Sequence, residues 1–100
     1  MCGAPPQTAS LPPGVDLAKE TVVHGRVLDG SSTPVGGAYV RLLDGSGEFT
    51  AEVVSSATGD FRFFASPGAW TVRALHRSGS GSTAVAPSGP GLHAADVTID

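Results

Sequence analysis

Few side chains in this 100-residue chain have the chemistry to react or to ligate. Cys2 is the sole cysteine, so no disulfide can form within the chain, and a reducing cytoplasm is the expected compartment. Removal of an initiator methionine before so small a residue places the Cys2 thiol beside an α-amine titrating near pH ~8, whose positive charge favours the thiolate. Two readings of Cys2 follow: a sulfur acceptor, metal ligand or redox handle on an arm, or an inert thiol at an unstructured start. A lipid-anchored cysteine is not expected, because no apolar segment precedes it. His24, His76 and His93 are scattered and lack a second ligand at short spacing, so no metal or cofactor is expected. Nothing places a serine beside a histidine, and no G-x-S-x-G elbow occurs. Gly45-Ser46-Gly47 and Gly79-Ser80-Gly81 open no helix and read as turns rather than phosphate loops. Asp29, Asp44 and Asp60 each adjoin glycine at a strand end, where a turn role accounts for them. No catalytic constellation emerges, and a non-enzymatic role is the expectation.

The elements that must position these groups are strands. From Thr21 onward, short β-prone runs alternate with clusters of Gly, Pro, Ser and Asp. The runs are Thr21 to Leu28, Ala38 to Leu43, Phe49 to Val54, Phe61 to Ala65, Trp70 to Leu75, Thr83 to Ala86 and a closing segment with Ala95, Val97 and Ile99 in phase. Ser66-Pro67-Gly68 has the Pro-then-Gly order of a type II turn. Ser78 to Ser82 and Pro87 to Gly91 read as loops. Seven strands at intervals of about ten residues, without an amphipathic helix, predict an all-β, seven-stranded antiparallel β-sandwich of immunoglobulin-like architecture. Trp70, Phe61, Phe63 and Phe49 are expected to supply most of its core. Residues 1–20 hold Pro5, Pro6, Pro12 and Pro13 and read as an extended arm, leaving residues 21–100 as the sandwich domain.

The opposite strand phase is the more informative one. Tyr39, Arg41, Leu43, Arg62, Phe64, Arg73 and Leu75 fall where a solvated face is expected, yet combine arginine with large apolar groups. Arginine and aromatic residues are enriched at interface centres. That face either docks a partner or a second copy of the chain, or is covered by the arm through Leu11, Val15 and Leu17. Composition narrows the partners. Val, Leu, Ile and Phe make up 23 of the 100 residues, enough to fold one domain, while six basic against nine acidic residues argue against nucleic acid. No apolar run of about 18 residues is present, so no membrane span is expected. The absence of asparagine excludes N-glycosylation.

Val23-His24-Gly25-Arg26-Val27, Pro34-Val35-Gly36-Gly37-Ala38-Tyr39-Val40, Thr58-Gly59-Asp60-Phe61-Arg62-Phe63 and Pro67-Gly68-Ala69-Trp70-Thr71-Val72 resemble carboxypeptidase regulatory-like domains, which are transthyretin-like sandwiches. Transthyretin-like sandwiches include hydroxyisourate hydrolases, but the C-terminal Tyr-Arg-Gly-Ser of those enzymes is absent. Met1-Cys2-Gly3, Tyr39-Val40-Arg41-Leu42-Leu43-Asp44, Gly47-Glu48-Phe49-Thr50-Ala51-Glu52-Val53 and Ser56 to Ala65 are similar to the small actinobacterial SseC-like family, a domain of unknown function. Its members are commonly encoded beside a thiosulfate sulfurtransferase. The resemblance therefore implies a link to sulfur metabolism and a protein partner of that type, and it transfers no catalytic residue. Two functions are expected: an accessory module docking such a partner, or a small sulfur carrier acting through Cys2.

Overall fold

A computed structural model describes residues 18–100. The described chain is all-β, with eight strands in two sheets. β1 (Thr21–Leu28), β4 (Asp60–Phe64), β7 (Gly91–Ala94) and β8 (Val97–Thr98) form the first sheet. β2 (Tyr39–Leu43), β3 (Phe49–Val54), β5 (Trp70–His76) and β6 (Gly79–Val85) form the second, in the order β3-β2-β5-β6. The period-two alternation of the sequence turns one face of each sheet toward the core, although Val22, in the opposite phase of β1, is also buried. Val23, Val27, Phe61 and Phe63 point in from the first sheet, and Val40, Leu42, Val53, Val72 and Ala74 from the second. Ala95, Val97 and Ile99 complete this core, and the Phe61 and Phe63 rings sit 6.0 Å apart with their planes tilted.

Four differences from the sequence expectation have physical causes. β1 pairs antiparallel with β4 but parallel with β7 and β8, because β6 is joined to β7 by a crossing between sheets, which leaves strand direction unconstrained by a hairpin. Of the segment expected as the Ser78 to Ser82 loop, only Ser78 is in a turn and the rest belongs to β6, which pairs with β5 along its whole length. Gly81 permits this: a side chain there would run into the Thr98 backbone carbonyl. Phe49 was expected in the core, but it is 61% exposed. A bulge at Leu42/Leu43 pairs Leu43 with Phe49 instead of Thr50 and turns the ring outward. Trp70 is only partly buried, its indole N–H donating to the Ser66 carbonyl at 2.7 Å.

The segment that leads into β2 is fastened from below. Ser55, 5% exposed, accepts the Ala38 N–H at 2.9 Å and donates to the Val35 carbonyl at 2.8 Å. The following turn is closed by Asp60, whose carboxylate accepts from the Thr58 hydroxyl, from Ser56 Oγ at 3.1 Å and from Arg26 Nε at 3.4 Å. Tyr39 thereby leaves a rigid base.

Candidate functional site

Five of the seven face residues expected from sequence come together on the outer surface of the second sheet. Register places Tyr39 opposite Leu75, Arg41 opposite Arg73 and Leu43 opposite Thr71. On the other side of β2, Tyr39 faces Val54 and Arg41 faces Glu52. The surface is thus ruled into two adjacent rows. One is apolar, Val54–Tyr39–Leu75, with Tyr39 54% and Val54 40% exposed. The other is charged, Glu52–Arg41–Arg73. Arg62 and Phe64 are not part of it. They lie on β4, on the outer face of the first sheet, where Phe64 is paired with Val22. Strand phase alone cannot distinguish the outer face of one sheet from that of the other, which is why the sequence grouped them.

The charged row is costly by itself. Two guanidiniums directly opposite across neighbouring strands repel each other. Arg41 is compensated by Glu52, with Nε and Oε2 2.7 Å apart. Arg73 is exposed and has no carboxylate partner among the described residues. Sheet stability does not call for that placement.

At one end of the apolar row, Gly37, Tyr39, Leu75, His76 and Arg77 line an open groove of about 330 Å³. Sequence reading missed Arg77 because it lies beyond the end of β5, in the two-residue turn that leads into β6. His76 Nδ1 lies 3.2 Å from the Ser78 backbone nitrogen and 2.7 Å from Ser78 Oγ.

The remaining candidates are dispersed. His24 is on the outer face of β1, and His93 Nε2 lies 2.8 Å from the Gly89 carbonyl. Among the described residues, no three His, Cys, Asp or Glu side chains converge as a metal site. Asp29 accepts the N–H groups of Ser31 and Thr33, and Asp44 those of Ser46 and Glu48, so both close turns. The Ser46 hydroxyl and the surrounding N–H donors hold the Asp44 carboxyl below the ordinary range. Burial pushes Asp60 up, but Thr58, Ser56 and Arg26 together hold it below the ordinary range. Cys2, together with Leu11, Val15 and Leu17, lies outside the described residues. No described helix is long and apolar enough to cross a membrane.

Residues 2–99 match the model of a family described as a protein of unknown function, DUF1416. The chain belongs to that family. Its relatives include two uncharacterized proteins of Mycobacterium tuberculosis, Rv0814c and Rv3118, each 64% identical over 99 residues that span 99% of both chains. An uncharacterized protein of Mycolicibacterium smegmatis is 68% identical over 89 residues, covering 89% of this chain and 99% of its own. Among solved structures, the dioxygenase domain of a dioxygenase carbohydrate-binding protein fusion from Streptomyces sp. SirexAA-E superposes with a TM-score of 0.61 at 15% identity, over 99% of this chain and 90% of that one. Catechol 1,2-dioxygenase from Acinetobacter gives 0.60 at 12% identity, over 93% of this chain and 55% of that one. At such identities the likeness concerns the sandwich fold alone.

Proposed function

We propose that this protein is a non-enzymatic accessory module of the cytoplasm that docks a protein partner through the outer face of its second sheet. The observation behind this reading is the Arg41–Arg73 pair: two arginines opposed across strands beside an exposed apolar row, one of them without a carboxylate partner among the described residues. Arginine next to exposed aromatic and aliphatic surface is the composition of interface centres. The partner proposed is a thiosulfate sulfurtransferase. Support for that choice is the resemblance of the sequence to a family whose members are encoded beside one.

A second reading rests on the single thiol. Cys2 lies within the span matched by the family, and a thiol beside an ammonium has the reactivity of a sulfur carrier. One experiment separates the two. Binding of wild type, Cys2→Ala and Arg41→Glu/Arg73→Glu to the purified sulfurtransferase is measured, together with intact mass after incubation with thiosulfate plus that sulfurtransferase. Docking predicts loss of binding only with the arginine changes. Carriage predicts mass additions of about 32 Da, one sulfur atom each, that disappear in Cys2→Ala.

A further inference from the structure

We propose that residues 11–17 of this chain lie over the outer face of the first sheet, seated on the row Phe64–Val22–Leu92, an inference independent of the docking reading. Register makes that row: Val22 of β1 stands opposite Phe64 of β4 on one side and Leu92 of β7 on the other. All three are in the phase that points away from the core, since Val23 and Phe63 point into it. Phe64 and Leu92 are 52% and 48% exposed, yet Val22 between them has 0% exposure. Neighbours on the two flanking strands shield a valine from the sides, and shielding this complete points to apolar atoms above the row as well. The next row on the same face, Arg62–His24–Ala94, is polar, so the apolar strip is confined to the end of the sheet where β1 begins.

The occupant follows from where the chain enters. β1 starts at Thr21, one residue before Val22, and Ala18 and Lys19 form a turn immediately upstream. A turn so close to the strand reverses the chain, which directs the preceding residues back toward the sheet. Lys19, Glu20 and Phe64 are among the residues that line an open hollow of about 370 Å³ beside that turn, so a passage runs from the turn to the row. Length suffices. Crossing from β4 over β1 to β7 takes two strand spacings, about 9.6 Å, and the six steps from Leu11 to Leu17 reach about 20 Å when extended. Composition suits an apolar seat: Leu11, Val15 and Leu17 supply three large apolar side chains, and Asp16 is the sole charged side chain among residues 1–17. The row Val54–Tyr39–Leu75 is on the opposite side of the sandwich, so the two apolar rows take different occupants, this chain's own segment on the first sheet and a partner on the second.

The test uses the full chain, labelled with nitrogen-15 and carrying a nitroxide on Ser10→Cys in a Cys2→Ser background. The nitroxide is expected to broaden the amides of Val22, Phe64 and Leu92 most strongly and to leave those of Tyr39 and Leu75 sharp. The reduced label should give the wild-type spectrum, which is the check on folding. Val15→Ser/Leu17→Ser keeps the same tether but removes the apolar contact, and should cut the broadening at Leu92 at least about twofold. Leu92→Ser, changed at the seat instead, should cut the broadening at Phe64 by a similar factor. Broadening that is equal in these variants, centred on the Tyr39 row, or absent overturns the proposal. So does broadening in a mixture of nitroxide-bearing protein without nitrogen-15 and labelled protein without nitroxide, which marks a second copy as the occupant.

Discussion

Replacing Ser55 by alanine removes a single oxygen, and the structure sets the cost. Ser55 Oγ is the acceptor for the N–H of Ala38, a residue with 0% exposure, and the donor to the Val35 carbonyl. Alanine fits the same space, so no steric effect competes. An orphaned buried N–H costs about 1–3 kcal/mol, and the partly exposed Val35 carbonyl adds less because water can reach it. The expected loss is about 2–3 kcal/mol, equivalent to a fall in Tm of about 10–20 °C for a domain of this size. The Ser55 carbonyl still accepts the Gly37 N–H at 3.1 Å, so the groove wall is loosened rather than removed. Urea and thermal unfolding of Ser55→Ala, with exposed Ser88→Ala as the control, measure the effect. A loss below about 0.5 kcal/mol refutes the reasoning, since the Ala38 N–H would then have found another partner.

Asp60→Asn should destabilise the fold by about 2 kcal/mol at neutral pH, because an amide cannot accept from Thr58, Ser56 and Arg26 together. The folded-state carboxyl titrates below its unfolded value, so this stabilisation is present above about pH 4 and vanishes as pH falls through the folded-state value. Unfolding curves of wild type and Asp60→Asn should therefore converge in acid. Gly81→Ala forces a methyl group into the Thr98 carbonyl and should abolish the β6–β8 contact, read as failure to reach a folded circular dichroism spectrum or a loss above about 3 kcal/mol. Phe64→Ser with Leu75→Ser should leave the monomer folded at a cost below the roughly 2–5 kcal/mol of core truncation, because Phe64 is 52% exposed and Leu75 only half-buried.

The parts of the fold legible in the sequence are those where alternation determines burial. Val23 and Val27, Val40 and Leu42, Phe61 and Phe63, and Val72 and Ala74 all face the core in the phase their spacing predicts. Phe49 departed from its phase because a bulge is a property of the pair of strands and leaves no mark in one of them. Gly79-Ser80-Gly81-Ser82 has no apolar side chain to reveal a strand, although its glycines are what allow the chain end to pack against it. The parallel pairing of β7 and β8 was hidden because period two is the same in either direction. At the site, spacing found Tyr39, Arg41, Leu43, Arg73 and Leu75, but only the sheet order separates them from Arg62 and Phe64.

The docking reading is tested most directly by the affinity of the wild-type protein and of Arg41→Glu/Arg73→Glu for purified thiosulfate sulfurtransferase, measured calorimetrically at low and high salt. Binding by wild type that weakens with salt, survives Cys2→Ala and falls at least about tenfold on charge reversal is the predicted result. Equal binding by wild type and the charge-reversed protein, or no binding by either, contradicts it.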